Sequence, residues 1–101
     1  MKLFRGDTFL KKIVSSYKFR VGDTLNIAVM RNAYSREYLH QQTKKIEAET
    51  NEINFEILPS ETDKFPIEDL LLEIELTTVD GIVKTNQYKL EVKADGIYER
   101  N

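Results

Sequence analysis

The chain has no cysteine and no tryptophan, only two prolines and four glycines, and a single histidine, His40, in 101 residues. Without cysteine there is no disulfide framework, no thiolate metal site and no thiol redox chemistry, which fits a reducing compartment or an assembly stabilised in some other way. No apolar run approaches the length of a membrane span, and the opening MKLFRGDTFLKK lacks the apolar core of a signal peptide. The expectation is a product that stays in the cytosol where it is made, with no membrane partner. Fifteen Lys and Arg nearly cancel 17 Asp and Glu, giving a net charge of -2. Lys and Glu are interleaved in the final strand instead of gathered into a basic block, which argues against nucleic acid as a partner. At this length one domain with one modest core is expected, over residues 1–101.

What the sequence does contain is a strong hairpin signal, LLLEIELTTVDGIVKTNQYKLEVK, from Leu70 to Lys93. Asp80-Gly81 between alternating apolar residues predicts a two-residue type I′ turn with Val79 facing Ile82, Thr78 facing Val83 and Leu76 facing Thr85. Leu70, Leu72, Ile74 and Leu76 would line the buried side. On the returning strand Tyr88, Leu90 and Val92 fall on the opposite parity. A β-bulge near Asn86 or Gln87 would repair this, setting Ile74 opposite Tyr88, Leu72 opposite Leu90, Leu70 opposite Val92 and Glu73 beside Lys89.

Upstream, Phe4-Arg5-Gly6-Asp7-Thr8 is echoed by Phe19-Arg20-Val21-Gly22-Asp23-Thr24, and each phrase suits a turn leading into a strand. A first strand is expected from about Thr8 to Val14. Its apolar residues occupy both faces, which would suit a strand covered on both sides. Ser15-Ser16 suits a break before Tyr17 to Val21, with two readings of that segment, a continuation of the strand or a short edge. Leu25, Ile27 and Val29 alternate with Asn26, Ala28 and Met30 as a half-buried strand with one face toward the core. Arg31 to Ser35 reads as a connection. Tyr38 to Ala48 reads as an exposed edge strand over the competing short helix, with Leu39, Ile46 and Tyr38 to bury. Ile53, Phe55 and Ile57 define a further strand that Pro59 closes. Pro59 to Asp69 is the longest loop, with Phe65 tucked into the sandwich edge, and Ala94 to Asn101 is a tail.

Six or seven short strands without a clear helix predict an all-β fold, an immunoglobulin-like antiparallel β-sandwich of about seven strands closed by the Asp-Gly hairpin. Having neither Cys nor Trp, it would hold by aliphatic and Phe/Tyr packing alone.

Chemistry-bearing constellations are sparse. A nucleophilic triad would have to be built around His40, in the most polar segment, and a surface histidine on an edge strand explains it better. Paired carboxylates such as Glu73 with Glu75 suit outward strand positions, and Glu68 with Asp69 a loop. Arg5-Gly6-Asp7 spells an integrin-binding tripeptide and reads as a turn. Asp7, Asp23, Asp63, Asp80 and Asp95 lack the dense alternating spacing of a calcium loop. Lys84, Lys89 and Lys93, interrupted by Glu91, read as a solvated face. No catalytic residue, metal or cofactor is expected.

Taken together, RGDTF at the start, GDTLNIAVMR, ILPSETDKFP and then the hairpin resemble the N-terminal immunoglobulin-like domain of phage baseplate upper proteins from viruses of Gram-positive bacteria. The resemblance spans nearly the whole chain and rests on Leu72, Ile74, Leu76, Asp80-Gly81, Val83, Thr85, Leu90 and Val92 in the hairpin. It departs from the family at Ile67 to Leu71, where Gly and Tyr are usual, and at Gln87-Tyr88, where a Gly is usual.

The resemblance implies a non-enzymatic structural domain of a phage or prophage tail or baseplate, made in the bacterial host cytoplasm and carried in the virion. It would contact other tail or baseplate proteins and copies of itself in a symmetric assembly. The expected partner-binding edge or patch comprises Tyr34, Tyr38, His40, Gln42 and Lys44. The competing reading is a cell-surface or carbohydrate-binding β-sandwich module, using Tyr34, Tyr38 and Tyr98 as stacking aromatics.

Overall fold

A computed structural model describes residues 1–34 and 37–94. The tail beyond Ala94, with Tyr98, and the end of the Arg31 to Ser35 connection lie outside the described residues. The elements are β1 (Lys2–Phe4), β2 (Phe9–Phe19), β3 (Thr24–Met30), β4 (Tyr38–Lys45), β5 (Thr50–Ile57), α1 (Pro59–Thr62), β6 (Asp69–Thr77) and β7 (Val83–Lys93). One sheet has the order β1-β7-β6-β3-β4, and the other pairs β2 with β5. This is the immunoglobulin-like arrangement, with β2 and β5 as the B and E strands and β3, β6 and β7 as the C, F and G strands. Every pairing is antiparallel except that of β1 with β7, a parallel pair at Lys2–Glu91, Leu3–Val92 and Phe4–Lys93.

Side chains alternating along each strand send one set inward. Ile27, Val29 and Leu72 from the larger sheet meet Ile53, Phe55 and Ile57 from the smaller in a single core. Each such fully buried aliphatic side chain contributes about 1.5–3 kcal/mol. Phe9 and Phe55 meet edge to face across the β2–β5 pair, with centroids 6.3 Å apart. Phe65 closes the core between α1 and β6 and is buried, as its place in the long loop suggested. Thr62 ties α1 down by donating its hydroxyl to the Asp7 carbonyl at 2.7 Å.

The terminal hairpin forms with a different turn and register. Thr78 N–H donates to Ile82 O at 2.9 Å and Gly81 N–H to Thr78 O at 2.9 Å, so the loop has three residues, Val79, Asp80 and Gly81. Only Gly81 takes positive φ, at 85°, which rules out a type I′ turn with Asp80 also left-handed. Pairing is then continuous without a bulge: Leu70 faces Leu90, Leu72 faces Tyr88, Ile74 faces Asn86 and Leu76 faces Lys84. The extra residue is absorbed in the turn. Glu73 accordingly sits beside Gln87, whose amide donates to it at 3.0 Å, and Lys89 pairs instead with Asp69 and Glu91.

For β2 the continuous reading of the strand holds as far as Phe19, and the expectation of cover on both faces is corrected. It runs unbroken through Ser15-Ser16, and it is covered on one face only, leaving Leu10 71% and Val14 68% exposed. The disturbance at the serines appears in its pairing, which shifts between Val14–Glu52 and Phe19–Thr50. Asn51 fills that gap with its side-chain amide, donating to the carbonyls of Ser15 and Tyr17 at 3.3 and 3.2 Å. Both Gly-Asp phrases form turns, with Asp7 N–H bonded to Phe4 O and Asp23 N–H to Arg20 O, and with Gly6 and Gly22 at positive φ.

Candidate binding groove

In the immunoglobulin order, the sheet containing strands B and E is flanked by strand A beside B and strand D beside E. Among the described residues this chain places no strand at either position, so β2 and β5 each present an open edge. The two edges are treated differently. On the β5 side, the inward-facing side chains of β4 reach across: Gln42 donates to the Glu56 carbonyl at 3.0 Å and Lys44 donates to the Asn54 carbonyl. These bonds occupy backbone acceptors that an added strand would need. That edge is closed by side chains.

On the β2 side nothing comparable spans the gap. By register, Lys84, Asn86 and Tyr88 share the inner face of β7 with buried Leu90 and Val92. Lys84, Asn86 and Tyr88 are nevertheless exposed, because among the described residues no strand lies over them. Between this face and β2 runs an open groove of about 490 Å³ with a floor of Ile13, Tyr17, Ile74, Leu76 and Tyr88. A shallower depression lined by Met1, Lys11 and Lys12 shares Ile13, Val14, Ile74 and Tyr88 with it, so the groove continues toward the β1 end. Ile82, more than half exposed, lines the groove at the hairpin end.

A buried carboxylate fixes that end. Asp23 is fully buried and accepts hydrogen bonds from Tyr17 Oη at 2.7 Å, Arg20 N–H at 2.9 Å and Val79 N–H at 3.0 Å. Desolvation pushes its pKa up, but the bonds from Arg20, Tyr17 and Val79 and the Arg20 charge outweigh it, holding the group below its ordinary value. Arg20 also donates to Asp80 at 2.7 Å, and that bond, with a second to Tyr17, keeps the guanidinium above its usual pKa. The β2–β3 turn and the hairpin tip are thus locked together. Nothing in the spacing of Asp23 distinguishes it from the other turn aspartates; its proximity to Val79 is purely tertiary.

The five residues expected to form a binding edge do not form one surface. β4 is the outer strand of the larger sheet, as expected. His40, Gln42 and Lys44 share its inward face, opposite Val29, Ile27 and Leu25. Tyr34 is almost fully exposed on the β3–β4 connection, and Tyr38 borders a small polar dent with Gln41 and Glu73. His40 is largely buried, its Nδ1 3.5 Å from Glu61 Oε1 without a hydrogen bond and its Nε2 3.0 Å from the Gln42 amide. Neither His40 nor Glu61 lines the groove or either depression. Among the described residues no group of three or more acidic or histidine side chains converges to hold a metal ion, and no helix is long and apolar enough to cross a membrane. Compared with known protein families, curated proteins and solved structures, the chain has no match.

Proposed function

We propose that this chain is a non-enzymatic structural domain of a phage or prophage tail or baseplate, acting through protein–protein contacts in a symmetric assembly. The observation that carries this reading is the open edge of β2 with an apolar groove behind it, since an unpaired strand edge is a ready template for another chain. Strand grammar shared with baseplate upper domains supplies the tail context, and the immunoglobulin-like strand order is consistent with it. The groove has no acid–base pair of catalytic type. Its polar groups among the described residues are the Arg20–Asp80 ion pair, Lys84, Asn86 and the hydroxyls of serine, threonine, Tyr17 and Tyr88, an inventory suited to docking.

The test is to purify tail particles from a bacterial host carrying the coding sequence and to measure the copy number of this chain by quantitative peptide mass spectrometry. A fixed integer number of copies per particle is expected. Recovery of the chain only outside the particles overturns the tail assignment, and saturable binding to one sugar class on a glycan array replaces it with a carbohydrate-binding module.

A further inference from the structure

The groove also indicates what should fill it. Its floor is apolar, while its charges are unbalanced. Arg20 is matched by Asp80 and Lys12 by Glu52, at 2.7 and 3.4 Å. Lys84 in the groove and Lys11 in its continuation form no ion pair among the described residues. The site therefore offers apolar contact along its length and an excess of positive charge.

Backbone geometry adds a second requirement. The Ser15 and Tyr17 carbonyls turn toward β5, where Asn51 meets them. By strand alternation the main-chain groups of Val14 and Ser16 then face the open side, where an extended segment can bond to them. Its alternate side chains would point down onto Ile13, Ile74 and Tyr88.

We propose that the groove binds an extended segment of another protein, whose inward-facing side chains are apolar at the centre and acidic toward the ends, as a third strand beside β2. This deepens the structural reading and rests on it. A second copy of the chain is a poor occupant because its own β2 edge would bring Lys11 and Lys12 against the same basic groove. The period of two in a strand turns every second side chain of the segment inward, where the central ones meet the apolar floor and the outer ones meet Lys84 at the hairpin end and Lys11 at the β1 end, both on inward faces of their strands.

The full chain, labelled with ¹⁵N, is titrated with a blocked peptide of about nine residues, a length comparable to the longer natural strands, in which every second side chain is set to face the groove, Val at the central positions and Glu at the two ends, with Thr between them. A matched peptide with Lys in place of Glu serves as the comparison. Saturable shifts confined to residues 13–18 and 84–88 are expected, with slowed amide exchange at Val14 and Ser16. The Lys peptide should bind about tenfold more weakly, and Lys84→Glu, at an exposed position, should narrow or reverse that preference. Equal binding of both peptides, shifts elsewhere, or no shift at millimolar peptide overturns the inference, as does a concentration-dependent dimer that protects the β2 edge without peptide. Failure to bind while the chain is present in tail particles removes the groove inference alone. Binding by a chain absent from particles keeps the groove and removes the tail assignment.

Discussion

Asp23 Oδ1 accepts the backbone N–H of Val79 at 3.0 Å, a bond across 56 residues of sequence that joins the turn before β3 to the turn after β6. The other carboxylate oxygen takes Tyr17 Oη and Arg20 N–H. Replacing Asp23 with Asn turns one acceptor into a donor facing a backbone N–H or a hydroxyl. With the site buried, Asp23→Asn should cost on the order of 3 kcal/mol, measured by urea unfolding. A change below about 0.5 kcal/mol, the range of ordinary surface substitutions, would show that the two turns are held by something else.

The same carboxylate sets an acid limit. Its folded pKa lies below its ordinary value of 3.8, so between the two the unfolded state binds more protons. Its contribution is therefore fully present above about pH 4 and is lost as pH falls through the folded value. Wild type should show a loss of stability below pH 4 that Asp23→Asn lacks. Parallel pH profiles for the two proteins would contradict this.

Gly22 approaches the hairpin so closely that a Cβ on it would lie 2.7 Å from Val79 Cγ1, and its φ is +96°. Gly22→Ala therefore meets both backbone strain and a clash, and should destabilise by about 1–3 kcal/mol. Gly81 also has positive φ, but a Cβ there meets nothing within 4 Å. Gly81→Ala should cost less than Gly22→Ala, and equal melting temperatures for the two variants would remove the packing part of this explanation.

Asn51 substitutes for missing ladder bonds at the β2 irregularity. In Asn51→Ala the Ser15 and Tyr17 carbonyls lose their partner, and each bond is worth about 1 kcal/mol. Amide exchange between Ser15 and Phe19 should accelerate while that of β3 stays slow. Unchanged exchange in this stretch would show that the shifted register holds without the side chain.

The strands were legible where one face is buried. Leu25, Ile27 and Val29, and Ile53, Phe55 and Ile57, announce their inward faces by strict alternation, and all six are buried, but Ala28 and Met30 on the other face of β3 are buried too, against the half-buried reading. The hairpin was legible as a hairpin but not in register. Asp80-Gly81 suits a two-residue turn locally, and only the bonds of Thr78 to Gly81 and Ile82 select the three-residue loop. Leu10 and Val14 misled because apolar residues on both faces of β2 suggested cover on both, whereas the outer face meets solvent. The polar β4 segment signalled an edge. Sequence parity placed His40, Gln42 and Lys44 on one face, but could not show that this face turns inward to β5. The groove was illegible for a deeper reason, because it arises where none of the described residues forms a strand beside β2.

Assembly is the claim on which the functional account turns, and the solution mass of the chain by light scattering across a wide concentration range tests it most directly. The account predicts a closed oligomer of constant mass above a threshold concentration, formed with the β2 edge still free for the partner segment. A monomer at every concentration would contradict it, leaving a module that works only within a larger protein or binds a different class of ligand.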